Sequence, residues 1–169
     1  MIRILLFSLL LVLMGCSSSK KLINHQHKSF NFSYLLDLQN IKNDQVKVEF
    51  LVQGISENNL EFCLPKIVPG IYGAMNFGQF ISRLKAFDAA GEEINAKKTG
   101  TNCWILEGAL GLAKIEYWVN DTWDNFDMNL EEGFYRSAGS SFSSDHFVLN
   151  NNCLLGYLKG HENKAAQLS

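Results

Sequence analysis

Residues 60–72 read L-E-F-C-L-P-K-I-V-P-G-I-Y, from Leu60 to Tyr72, and hold both prolines of the chain, Pro65 and Pro69. Two prolines four residues apart exclude a helix, because each lacks an amide donor and clashes with the preceding turn. A central strand rejects them as well, since neither can donate to a ladder. The stretch therefore predicts a strand, Leu60–Leu64, that leaves its sheet and turns at Pro69-Gly70.

On either side of it the apolar residues recur every second position. Phe32, Tyr34, Leu36 and Leu38 alternate with polar residues across Asn31–Gln39. Val46, Val48, Phe50 and Val52 do the same across Asp44–Gln53. Alternation of this kind marks half-buried strands, and the short polar link Asn40–Asp44 predicts an antiparallel hairpin. After the proline turn, Phe77, Phe80, Ile81 and Leu84 fall at helical spacing, but Gly73 and Gly78 weaken a helix. The expectation is a helical turn near Ala74–Phe77, then a strand from about Phe80 to Asp88. Asp88-Ala89-Ala90-Gly91 is a turn. Glu93–Lys98 and Thr101–Glu107 form a second hairpin, and Leu112–Asn120 is a strand with Ala113, Ile115, Tyr117 and Val119 on one face. Asp121–Ser144 reads as a long irregular excursion, the kind of segment that carries function when ordered. Asp145–Asn150 is a short strand, Cys153–Gly160 packs back on the sheet, and residues 161–169 read as a linker. About eight short strands imply an all-β fold, an antiparallel β-sandwich or open barrel with one long irregular loop.

With 169 residues, 47% hydrophobic and 19% charged, the chain can bury one domain's core. A net charge of −2 gives no basic surplus for nucleic acid. Arg3 precedes an apolar run, Ile4–Met14, too short for the roughly 20 residues that span a bilayer. Residues 1–15 read as a signal peptide, and Leu13-Met14-Gly15-Cys16 resembles the lipobox of bacterial lipoproteins. The expectations that follow are lipidation at Cys16, a flexible tether over residues 16–29, a β domain over 30–160, and attachment to a membrane of the bacterial cell envelope, facing the periplasm or the surface.

Export permits a disulfide among Cys63, Cys103 and Cys153. Three pairings are possible, each leaving one cysteine over, and no C-x-x-C spacing suggests a zinc knuckle. Three small buried side chains is the simplest reading.

No chemical constellation stands out. The histidines His25, His27, His146 and His161 are not placed to converge as metal ligands. No G-x-S-x-G elbow exists. Ser140, Ser141, Ser143 and Ser144 lie beside Asp145 and His146, but triads are built from distant segments. Asp121, Asp124, Asp127, Glu131 and Glu132 form an acidic patch suited to calcium or to a peptide's free amino terminus. They lack the EF-hand spacing, and a solvated loop is the simpler reading. Trp118, on the polar face with Lys114 and Glu116, and Trp123 suggest a contact surface; a sheet covered on both faces would instead make Trp118 core.

Pro65, Pro69, Gly70 and Tyr72 resemble the P-x-x-x-P-G-x-Y signature in the N-terminal domain of the glycyl aminopeptidase family of zinc metallopeptidases. The resemblance extends from about Tyr34 to Gly160. It takes in Phe77, Phe80 and Ile81, then Leu84, Ala86, Asp88 and Gly91, then Trp104, the run Ile115–Asp124, and Gly156, Tyr157 and Gly160. One departure is Ile67, where the family often has tryptophan. The resemblance implies a following thermolysin-like domain whose H-E-x-x-H binds zinc. Here the nearest approach is His161-Glu162-Asn163-Lys164-Ala165, with alanine in place of the second histidine. The chain is expected to stop about where that domain would begin. It is then a non-catalytic accessory domain with no cofactor of its own, zinc belonging to the absent domain. It would brace that partner and wall its substrate cleft through Pro69, Gly70, Tyr72, Phe77, Trp118 and Trp123. The rival expectation is a stand-alone envelope lipoprotein whose β-sandwich binds a peptide or protein.

Overall fold

The alternating stretches form strands as their pattern dictates. In the computed structural model, which describes residues 31–123 and 135–169, β1 (Phe32–Lys42) and β2 (Gln45–Val52) pair antiparallel. They join through Asn43 and Asp44, both at positive φ, a conformation that asparagine and aspartate tolerate best after glycine. Strand β1 runs three residues further than expected, because a register shift after Asp37 lets the Asp37 carboxylate accept the Gln39 and Asn40 amides. In β2 the side chains of Val46, Val48, Phe50 and Val52 are buried.

Next come β3 (Asn59–Cys63), a 3-10 turn at Phe77–Phe80, β4 (Ile81–Asp88), β5 (Glu93–Lys98), β6 (Cys103–Glu107) and β7 (Leu112–Asn120). The chain then adds β8 (Ser141–Phe142), β9 (Phe147–Val148), the helix α1 (Asn151–Leu154), β10 (Tyr157–Leu158) and β11 (Ala166–Leu168). One nine-stranded sheet runs β10-β3-β6-β5-β4-β7-β2-β1-β11, and β8 and β9 form a separate ribbon. The fold is nearly all β, a single sheet curled into an open half-barrel. Curling is visible in the core. Phe62 of β3 lies far from β2 and β7 in strand order, yet its ring meets Phe50 at 6.2 Å and Tyr117 at 5.4 Å. Burying each such ring contributes roughly 1.5–3 kcal/mol. Gly156 lies so close that a Cβ there would come within 2.2 Å of the Phe62 ring.

Three expectations need correction. The helical turn sits at Phe77–Phe80, not Ala74–Phe77, because residues 66–75 are spent on the proline turn. Residues 161–169 do not run off as a linker. Ala166–Leu168 adds to β1 as a parallel edge strand, and Ser169 exchanges backbone hydrogen bonds with Tyr34 and Leu36. Nor are all three cysteines reduced. The β3–β6 register sets Cys63 directly opposite Cys103, with Cα atoms 4.2 Å apart, and the two form a disulfide; Cys153 is a free, buried thiol. Cys16, with the rest of residues 1–30, and Asp124, Asp127, Glu131 and Glu132 lie outside the described residues.

Candidate functional site

Beyond Cys63 the chain leaves the sheet, and Pro69 and Gly70 turn it. Gly70 has φ +86°, and the Ile71 amide donates to the Val68 carbonyl at 3.1 Å. A proline followed by a residue at positive φ is the sequence form of a type II turn. The arms of the turn pair briefly, Ile67 opposite Ala74, and the Met75 amide donates to the Lys66 carbonyl at 2.7 Å.

This small hairpin has feet and a crest. Leu64, Val68, Met75 and Phe77 are buried, while Ile67 is 71% exposed and Tyr72 99% exposed. The feet are gripped by Asn102, which is itself buried. Its Nδ2 donates to the Met75 carbonyl at 2.7 Å, and its Oδ1 accepts the Gly78 amide at 2.8 Å. Its backbone carbonyl accepts the Leu64 amide. Gly78 packs so tightly here that a Cβ would come within 1.9 Å of the Thr101 carbonyl oxygen.

A second segment meets the crest. A Cβ on Gly73 would lie 3.1 Å from the Tyr135 ring, so the two are in contact. Arg136 donates to the Trp123 carbonyl. Tyr135 and Trp123 are 51% and 42% exposed. Tyr135 thus lies beside the crest at Gly73, and its neighbour Arg136 ties this segment to the backbone at Trp123. Sequence reasoning missed Ile67, Tyr135 and Asn102. Tyr135 sits in an irregular segment with no periodicity to orient it, and a lone asparagine before a strand carries no signal.

Of the residues expected at a docking surface, Pro69, Gly70, Tyr72 and Trp123 are exposed. Phe77 is not: it is fully buried and serves as a foot of the turn. Trp118 is half-buried on the outer face of β7, flanked by the Lys47 ammonium at 5.3 Å and the Arg83 guanidinium at 4.1 Å from its ring centre. Such contacts hold an aromatic ring on a solvated face.

The remaining candidates resolve into structural roles. Asp121 is fully buried, and its two oxygens accept the amides of Trp123 and Phe142. It is a bracket for the chain rather than part of a solvated acidic loop. Ser143, Asp145 and His146 do touch, with Ser143 Oγ 2.9 Å from His146 Nδ1 and that same nitrogen 3.0 Å from Asp145. A triad uses the two different ring nitrogens, so this is an exposed turn closed by its own side chains. The serine and histidine contacts hold the Asp145 carboxyl below its ordinary value. His161 Nε2 lies 3.1 Å from Glu57, and residues 161–165 form turns rather than the helix that a pair of zinc histidines needs. The Glu162 carboxylate accepts the Gly160 amide, which lowers its pKa.

Among the described residues one grouping could offer three metal ligands, Glu61 with Cys63 and Cys103; its sulfurs are bonded to each other. An open cleft of about 580 Å³ lies between Asn31, Leu51–Ile55 and Gly111–Ala113, and no titratable side chain lines it.

Residues 33–169 match the family described as Peptidase M61 N-terminal domain. The fold is also that of part of an aminopeptidase N family protein from Idiomarina loihiensis, with a TM-score of 0.60 and 20% identity over 81% of this chain and 21% of that one. The chain spans about a fifth of that protein's length. No curated protein matches it.

Proposed function

The chain belongs to the Peptidase M61 N-terminal domain family, and from that premise we propose that it is the non-catalytic module of a lipid-anchored metallopeptidase. It braces a zinc-bearing domain and forms one wall of its substrate cleft. The observation that carries this reading is the proline turn. Its feet are locked into the core, yet it holds Tyr72 almost wholly and Ile67 mostly in solvent. Exposing two large apolar side chains on a rigid support gains nothing for the domain alone. It suits an interface, where aromatic anchors supply most of the binding energy.

The zinc and the water-activating glutamate belong to the partner domain in this proposal, and the chain contributes shape. Lipid on Cys16 would hold the assembly at the membrane of the cell envelope, and acyl burial at roughly 0.8 kcal/mol per CH₂ is enough for stable attachment once two or more chains are present.

Three measurements test the reading. The purified chain, supplied with zinc and aminopeptidase substrates, should hydrolyse none of them; metal-dependent turnover overturns the non-catalytic role. A zinc domain of the same family, expressed separately, should form a complex with the chain. Tyr72→Ala and Ile67→Asp should each weaken that complex at least about tenfold, as expected of central interface residues. Equal binding by the variants overturns the bracing role. Fractionation of cells expressing Cys16→Ala, with the protein moving from membrane to soluble fractions, tests the anchor.

A further inference from the structure

We propose that the Cys63–Cys103 disulfide is a latch that a dithiol can open, releasing the proline turn while the sheet stays folded. Its consequence for docking rests on the reading of the turn given above; the latch itself does not.

Position is the first argument. The β3–β6 ladder runs from Asn59 opposite Glu107 to Cys63 opposite Cys103. The disulfide is therefore its last rung, and the chain leaves the sheet immediately beyond it. The other rungs do not depend on the sulfurs, because Leu60, Phe62, Trp104 and Leu106 hold both strands in the core. Opening the last rung leaves the turn held by non-covalent ties alone, the Asn102 contacts and its four apolar feet. Units that open locally are those whose contacts are few and whose neighbours are independently stable.

Access is the second argument. Cys63 is buried, whereas Cys103 is half-buried, which makes Cys103 the more open of the two to attack. A thiolate of a dithiol, whether a small reductant or an oxidoreductase with a paired cysteine site, attacks Cys103 Sγ. The S–S bond breaks, and its electron pair leaves on Cys63 Sγ, which takes up a proton. The second thiol of the reagent, deprotonated, attacks the mixed disulfide and expels Cys103, which is protonated in turn. The protein gains two electrons and two protons, and the dithiol is oxidised to its own disulfide. Cys153 stays out of this exchange. It is buried, lies 3.0 Å from Ser140 Oγ, and its burial pushes the thiol up to about 11, which withholds the thiolate that exchange requires.

The test uses the full chain with and without dithiothreitol. Lys66 lies exposed within the turn, so trypsin reports on the latch there, and amide exchange at Met75 reports on the closed hairpin. Reduction should raise both rates about tenfold or more, with Met75 exchanging well ahead of the amides of β2 and β7, which open only when the whole sheet does. Cys63→Ser/Cys103→Ser should reproduce the reduced state without reagent, and Cys153→Ala should behave as the wild type. Unchanged rates at Lys66 and Met75 overturn the proposal. Exchange at Met75 that only keeps pace with β2 and β7 also overturns it, because the disulfide would then be a staple of the whole fold. A latch that opens in a chain whose oxidised form does not bind the zinc domain supports the latch and counts against the docking reading alone.

Discussion

The chain leaves its sheet twice, after β3 and after β7, and each departure is held by one buried polar side chain. Asn102 grips the first by donating to Met75 and accepting from Gly78. Asp121 grips the second by accepting from Trp123 and Phe142. The first departure is uncharged at its bracket, rests on four apolar feet and is tied off by a disulfide. Asp121, by contrast, carries a carboxylate into a fully buried site, which is tolerable because charge-assisted bonds to amides are about twice as strong as neutral ones. The lesson is that an irregular segment can be fixed either by many weak ties or by a few strong ones. The first arrangement is the one that can be loosened in part.

Breaking the ties one at a time sharpens the contrast. The largest loss is expected from Cys103→Ser. The cysteines lie 40 residues apart, and freeing a loop of that length costs about 4 kcal/mol in the chain-entropy account; urea unfolding of oxidised wild type and variant measures it. Asp121→Ala should follow at about 3 kcal/mol, since two buried amides lose a charged acceptor. Asp121→Asn has one carbonyl oxygen in place of two and should recover only part of that. An asparagine that restores full stability would show that only one of the two bonds matters. Asn102→Ala is expected to cost about 2 kcal/mol, because it strands the Gly78 amide and the Met75 carbonyl. If it cost more than Asp121→Ala, the contrast between weak and strong ties would be reversed.

Alkaline titration probes the strip that returns to the sheet. The Tyr34 hydroxyl donates to the Gly156 carbonyl and that of Tyr117 to the Leu154 carbonyl. Burial raises both phenols above the ordinary 10.0. Above that pH the unfolded chain loses phenol protons that the folded chain keeps, so stability should fall as pH rises, with a limiting slope of about 1.4 kcal/mol per pH unit for each tyrosine. Cys153 adds to the fall from pH 9.0 upward. Thermal melts across this range should lose about half of the tyrosine effect in Tyr117→Phe and the other half in Tyr34→Phe. The smallest expected change is Tyr72→Ala, under about 0.5 kcal/mol in stability, while Phe77→Ala, one foot below it, should cost about 3 kcal/mol.

Much of this was legible in the residues. The alternation in β2 and β7 named the buried faces, and the two prolines with Gly70 named the turn. The order of motifs pointed to the family. Phe77 was misplaced because the sequence shows that an aromatic follows a turn, not which way it faces. The C-terminal strand was missed because three residues are too few to carry a period, and their partner lies at the other end of the chain. Asp121 was grouped with its acidic neighbours because charge is visible in sequence and burial is not.

The sequence by itself determined the strands and where the chain must turn, since side-chain alternation and proline geometry act over a few residues. Tertiary structure alone decided that Cys63 faces Cys103, that Asn102 and Asp121 are brackets, and that Tyr135 comes to lie beside Gly73 of the turn. Those facts depend on register and on the curl of the sheet. Both arise only when segments far apart in the chain settle against one another.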